Sequence, residues 1–157
     1  MLKHHRFGAS LAVAILALAW TSTAMAAPMI FVRGAWMRPA AAGASGAAYL
    51  TITNGGPMTD TLIAVASPNG ARASIHESRM VGQVMTMRAL PNLAIRAGAT
   101  ARFSPAGLHV MIERLKRPLT TGERLTLFLT FANAGRVQVT VRVRADALAD
   151  PMAGMKM

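Results

Sequence analysis

The sequence predicts an all-β chain, an antiparallel Greek-key β-sandwich or barrel, and three observations carry that reading. The run LTLFLTF at 125–131 puts Leu125, Leu127, Leu129 and Phe131 on one side. The run VQVTVRV at 137–143 puts four valines on one side, with Gln138, Thr140 and Arg142 opposite. A period of two over such a length marks a strand with one buried face. Asn133-Ala134-Gly135 lies between the two runs and predicts a hairpin turn. Elsewhere, short apolar runs alternate with Gly, Pro and Asn clusters, the pattern of a many-stranded sandwich or barrel.

Further strands are predicted in order over 29–36, 48–53, 61–66, 71–77, 84–90, 94–103 and 108–115. The segment 39–47 is rich in Ala and Gly and reads as a loop. Asn54-Gly55-Gly56 ends the second strand, and Ser67-Pro68-Asn69-Gly70 ends the third. An Ala-Gly-Ala turn interrupts 94–103. The chain carries no evident internal repeat.

The N-terminus reads as a cleaved export signal. Lys3, His4, His5 and Arg6 precede the apolar run LAVAILALAW at 11–20, and Ala24 and Ala26 give the small-residue cleavage pattern. The apolar run is too short for a bilayer span, which takes about 20 residues. Cleavage after Ala26 leaves 131 of 157 residues and lowers the net charge from +11 to +9. One domain over 27–146 is expected, followed by a flexible, Met-rich tail at 147–157. The expected location is the periplasm, with no transmembrane segment after cleavage. A monomer is the expected state.

Composition excludes several functions. There is no cysteine, so there is no thiolate nucleophile, Cys-ligated zinc or iron–sulfur site, c-type haem attachment or blue-copper site. No Gly-x-Ser-x-Gly turn or comparable base–nucleophile set is present, so no catalytic residue is assigned and no enzyme is expected. Arg114, Lys116 and Arg117 cluster, and Arg142 and Arg144 alternate along a strand. An exported chain with few aromatic residues does not suit nucleic acid. Such charge suits solubility or an acidic partner or surface. Because cations avoid positive charge, these arginines are expected on the far side from any metal.

Methionine and histidine point to that metal. Ten methionines and two histidines, His76 and His109, remain after cleavage. In His109-Val110-Met111 the first and third side chains project together from a strand. Met85-Thr86-Met87 has the same spacing. Thioether sulfur is soft and selects Cu(I), whereas imidazole suits both oxidation states of copper. Zinc sites draw on Cys, His and carboxylates, and calcium and magnesium need oxygen donors. From residue types alone, His109 and Met111 are the firmest pair, and Met85 and Met87 are not distinguished. Met29, Met37 and Met58 read as packing residues, as Met commonly does. Met80 is open between packing and function. Glu77, beside His76, reads as a solvated residue whose carboxylate could support an imidazole N–H.

The spacing of His76, ten residues, Met87, twenty-one residues, His109, one residue, Met111 resembles the H-x10-M-x21-H-x-M signature of PCu(A)C-type periplasmic copper chaperones. The likeness covers roughly 32–143, including PAGLHVM at 105–111 and LKRPLTTGERLTLFLTF at 115–131. Where that family often has Gly-Gly-Tyr before its second His, this chain has Ala106-Gly107-Leu108. No ligand is lost by the change. The resemblance implies a cupredoxin-like sandwich holding one Cu(I) through His76, Met87, His109 and Met111, with Cu(II) as the other state to consider. It implies delivery of copper towards cytochrome c oxidase assembly, with a Sco-type protein or an oxidase subunit as acceptor. It also suggests a weaker copper site at Met152, Met155 and Met157. Copper sequestration and a metal-free β-sandwich interaction module are the competing functions.

Overall fold

The computed structural model describes residues 29–70 and 72–145. The predicted leader at 1–26 and the tail at 147–157 lie outside these residues. Ten strands are formed: β1 (Ile30–Met37), β2 (Gly46–Asn54), β3 (Asp60–Ala66), β4 (Arg72–Val81), β5 (Val84–Leu90), β6 (Leu93–Ile95), β7 (Thr100–Arg102), β8 (Leu108–Glu113), β9 (Arg124–Phe131) and β10 (Gly135–Val143). No helix among the described residues is long and apolar enough to cross a membrane.

All ten strands join one sheet in the order β5-β4-β8-β2-β1-β10-β9-β3-β6, with β7 also paired to β2. Every pairing is antiparallel except β1 with β10, where Trp36 meets Arg142 and Met37 meets Val143. The two strands with the clearest period of two form the predicted hairpin, from Gly135 opposite Phe131 to Arg142 opposite Arg124. The segment 94–103 divides instead of forming one strand. Its first part pairs with β3, its last part with β2.

The sheet encloses a single core. Leu125, Leu127, Leu129 and Phe131 of β9 pack with Val139, Val141 and Val143 of β10. Ala48, Leu50 and Ile52 of β2, Ile75 of β4, and Val110 and Ile112 of β8 complete it from the other side. Burying each larger side chain contributes about 1.5–3 kcal/mol. Met37 is fully buried, whereas Met29 and Met58 are exposed packing residues of the surface.

Two buried polar groups fix the turns around that core. Asn54 donates to the carbonyls of Met58 and Ile95 at 2.8 and 2.9 Å and accepts from the Gly56 N–H. Asp60 accepts from the N–H groups of Thr61, Asn133 and Ala134 at 2.8–2.9 Å, so it ties the β9–β10 turn to β3. Burial pushes the Asp60 carboxyl up, but those donors outweigh it and hold it below its ordinary value.

Because Ile75, Val110, Ala48 and Val141 face inward, their chain neighbours face outward. That alternation puts His76, His109 and Met111 on the outer side of the sheet.

Candidate metal centre

The site is built on three adjacent strands, β5, β4 and β8. His76 of β4 and His109 of β8 are direct cross-strand partners. Their ring centroids lie 5.7 Å apart with planes inclined at 33°. The next outward pair on the same strands is Ser74 with Met111. On the other side of β4, His76 faces Ala89 and Ser78 faces Met87. Met111 and Met87 are therefore the diagonal neighbours of His76, one on each flanking strand. Diagonal neighbours in a sheet lie about 7–8 Å apart, within reach of long side chains.

The ten-residue gap between His76 and Met87 follows from the β4–β5 hairpin. Val81 pairs with Val84, leaving Gly82-Gln83 as a two-residue turn. Gly82 has φ +63° and Gln83 is not left-handed, which is the arrangement of a type II′ turn. A turn centred there brings Met87 beside Ser78. The H-x-M spacing of His109 and Met111 is one strand period.

Burial grades across the site. His109 is only 3 % exposed, whereas Met87 is 53 % exposed. His76 and Met111 are half-buried. Each imidazole is anchored through one nitrogen. His109 Nδ1 lies 3.1 Å from the carbonyl oxygen of Gly107. A carbonyl only accepts, so Nδ1 carries the proton and Nε2 keeps its lone pair. His76 Nε2 lies 2.9 Å from the Ser74 hydroxyl. The remaining nitrogens, His76 Nδ1 and His109 Nε2, are buried and have no hydrogen-bond partner. Orphaned buried polar atoms are costly, and a bound ion is one arrangement that satisfies them.

Burial, and then the neighbouring His109, lower the His76 pKa, while Glu113 pulls it upward. Glu113 follows Met111 by two residues on β8 and so shares its outward side. Its cross-strand partner on β4 is Arg72. Its signal was present in the sequence as one more strand period after His109 and Met111.

Glu77 does not support an imidazole. It follows His76 directly on a strand, so its side chain leaves by the opposite side. There Arg88 donates to its carboxylate from Nε and Nη2 at 3.1 and 3.0 Å. Met85 is opposite Met80, one strand period further from the histidines than Met87.

Among the described residues, no three His, Cys, Asp or Glu side chains come together. A hard-cation or zinc site of ordinary composition is therefore not formed there. The donors that the register places as neighbours are imidazole and thioether, the set that suits copper.

Of the arginines expected on the far side, Arg142 lies on β10 and Arg144 just beyond it, three strands from β8 in the sheet order. Both belong to the outward side of the same sheet. With Arg33, Arg102, Trp36 and Thr140 they line a cavity of about 940 Å³. Arg144 stacks over Trp36 at 4.7 Å, and Trp36 lies 4.8 Å from the Tyr49 ring. β2 and β1, which line the cavity, lie between Arg142 on β10 and Met111 on β8, so distance across the sheet keeps that charge from the histidines.

Comparison with known proteins places these features. Residues 30–143 match the family described as "Putative lipoprotein LpqE-like". A curated relative, "Putative lipoprotein Lxx21020" of Leifsonia xyli subsp. xyli (strain CTCB07), is 30 % identical over 114 residues, covering 72 % of this chain and 68 % of the relative. The copper-bound PCuAC domain from PmoF2 superposes with a TM-score of 0.62 at 19 % identity, over 74 % of this chain and 93 % of that one. The apo PCuAC domain from PmoF1 gives 0.60 at 26 % identity, over 74 % and 94 %. The Cu(I) form of DR1885 from Deinococcus radiodurans gives 0.60 at 27 % identity, over 80 % and 85 %.

Proposed function

This chain belongs to the LpqE-like family, has the fold of PCuAC copper-binding domains, and from its paired histidines we propose that it is a periplasmic copper carrier. One Cu(I) is held by His76, Met87, His109 and Met111. The chain delivers it, performing no reaction of its own, towards the copper sites of cytochrome c oxidase through a Sco-type protein or an oxidase subunit.

The observation that carries this reading is the pair of orphaned nitrogens. His76 Nδ1 and His109 Nε2 are buried without partners, on strands that set the two residues face to face. A copper ion would satisfy both lone pairs. Met111 and Met87 would add the soft donors that favour Cu(I). Glu113 would supply a harder oxygen donor and a negative charge for any Cu(II) form. The graded exposure suits release. An acceptor can displace the exposed Met87 first, while buried His109 holds the ion until last. That Cu(I) is carried by DR1885, a structural neighbour at 27 % identity, is consistent with the reading.

The expected domain over 27–146 contains every residue of this site. The lipoprotein descriptions of family and relative fit an exported protein.

Titration of the protein with Cu(I) against a chromogenic chelator tests the proposal. One equivalent should bind tightly, and Met111→Ala should weaken it while X-ray absorption of the wild type shows sulfur and nitrogen together. Absence of chelator-resistant copper in the wild type would overturn the reading. Transfer to an oxidase copper-site domain then separates delivery from sequestration. A deletion strain with normal oxidase activity and raised copper sensitivity would favour sequestration.

A further inference from the structure

We propose that Met80 and Met85, together with Met87, form a second soft-metal station at the tip of the β4–β5 hairpin, which receives Cu(I) and passes it inward. This rests on the copper-carrier reading for its destination. It does not rest on it for the binding of the ion at the tip.

The hairpin has two unlike sides. From the β4–β5 register, Ser78, Met80, Met85 and Met87 occupy the outward side that continues from His76. Glu77, Arg79 and Arg88 occupy the other. These three are paired among themselves, at 3.0 Å from Arg88 and 4.0 Å from Arg79 to the Glu77 carboxylate. Charge is therefore confined to one side of the ribbon, and thioether sulfur to the other.

Nothing in the core explains the methionines. Met80 is 59 % and Met85 52 % exposed. Among the described residues, five of the nine exposed large hydrophobics, Met80, Val81, Val84, Met85 and Met87, lie on this one hairpin. A Met that fills gaps in a core contributes packing; these three contribute little. What they share is a polarizable donor that needs no deprotonation.

Their spacing suits one ion moving by short steps. Met80 and Met85 are direct cross-strand partners, and such partners have Cβ atoms about 4.5–5.5 Å apart. Met87 follows Met85 by one strand period, about 7 Å. It is also the diagonal neighbour of His76. Met87 therefore belongs to both stations. An ion held by Met80, Met85 and Met87 can keep its bond to Met87 while His76, His109 and Met111 replace the other two. No electron or proton moves, and the donor count rises from three thioethers to the two imidazoles and two thioethers of the inner site.

The test uses the whole protein labelled with carbon-13 at its methionine methyl groups, titrated with Ag(I) as a redox-inert substitute for Cu(I). Assigned methyl signals separate this hairpin from Met152, Met155 and Met157. The first equivalent should move Met111 and Met87. The second should move Met80 and Met85. The double variant Met80→Leu/Met85→Leu keeps the apolar surface and removes both sulfurs. It should bind the first equivalent with unchanged affinity and load several-fold more slowly from a Cu(I)–glutathione complex. Static Met80 and Met85 signals with a moving Met111 would overturn the station and leave the carrier reading intact. Moving Met80 and Met85 with a static Met111 would support the station and count against the carrier site. Unchanged loading in the double variant would overturn the relay, and would leave the tip as an apolar docking surface for a partner.

Discussion

The outward side of one sheet carries two regions that share a core and differ in chemistry. Over β4, β5 and β8 the outward residues include Ser74, His76, Ser78, Met87, His109 and Met111, none with a fixed charge, with Arg72 and Glu113 as opposed partners at one end. Over β7, β2, β1 and β10 they include Arg102, Arg33, Trp36, Tyr49, Arg142 and Arg144. Behind both regions the inward residues are alike: Ile75 and Val110 in the first, Leu50 and Val141 in the second. Alternation separates the two jobs. Inward positions specify the fold, and outward positions are free to carry a site. The strand order then sets the soft donors three strands from the arginine of β10, and such distance from positive charge favours a cation site.

The largest effect should come from breaking the first region at its most buried member. Anything that binds only the folded state stabilises it, by about 2.7 kcal/mol at a ligand concentration 100 times the Kd. Wild-type protein should gain that much on Cu(I) addition, read as a rise in thermal midpoint. His109→Leu should gain almost nothing. The same variant removes an orphaned buried nitrogen, so the copper-free protein should be no less stable than wild type. A full copper-dependent rise in His109→Leu would remove His109 from the site.

Much of this contrast was legible in the sequence. The predicted strands are formed except that 94–103 divides into two, and the period of two in 125–131 and 137–143 located the inward face correctly. Partner identity was less legible. Alternation says which side a residue faces, but not which distant strand it meets. The parallel contact of β1 with β10 and the division of 94–103 between β3 and β2 arise from long-range pairing. The facing of His76 and His109 is of the same kind, since their strands lie 33 positions apart in the chain at those residues. The spacing signature brought the two together only through resemblance. Glu77 and Glu113 show the reverse case. Alternation alone assigns Glu77 to the side away from His76 and Glu113 to the side of Met111. Adjacency in sequence was the misleading cue.

A smaller effect should appear with pH. His76 is lowered in the folded protein by burial and by His109, against the upward pull of Glu113. Its unfolded value is about 6.5. The unfolded chain therefore takes up a proton before the folded one does. Its contribution to stability is present above about pH 6.5 and is lost as pH falls through the lowered folded value. Copper binding should weaken over the same descent, because protonated imidazole has no lone pair. Glu113→Gln removes the upward pull and should move both losses to lower pH. Thermal midpoints and copper affinities at a series of pH values test the sign. A movement to higher pH would show that Glu113 does not act on His76.

The smallest effect should come from the second region, through the charge reversal Arg142→Glu. Three strand spacings, β8 to β2 to β1 to β10, place Arg142 about 14 Å from Met111 across the sheet. A unit charge at that distance acts on Cu(I) with about 0.3 kcal/mol in water. Reversal doubles this to about 0.6 kcal/mol, before screening by salt whose Debye length is about 10 Å at 0.1 M. What remains is a change in copper affinity well below twofold, favouring the variant. Trp36 should respond instead, since its partner on β10 is Arg142, and its fluorescence reports the altered surroundings. If Arg142→Glu changed copper affinity tenfold or more, the two regions would be coupled through the sheet and their separation would be only geometric. If Trp36 emission moved while copper affinity held, the strands between them would insulate the carrier site from whatever the arginine cavity meets.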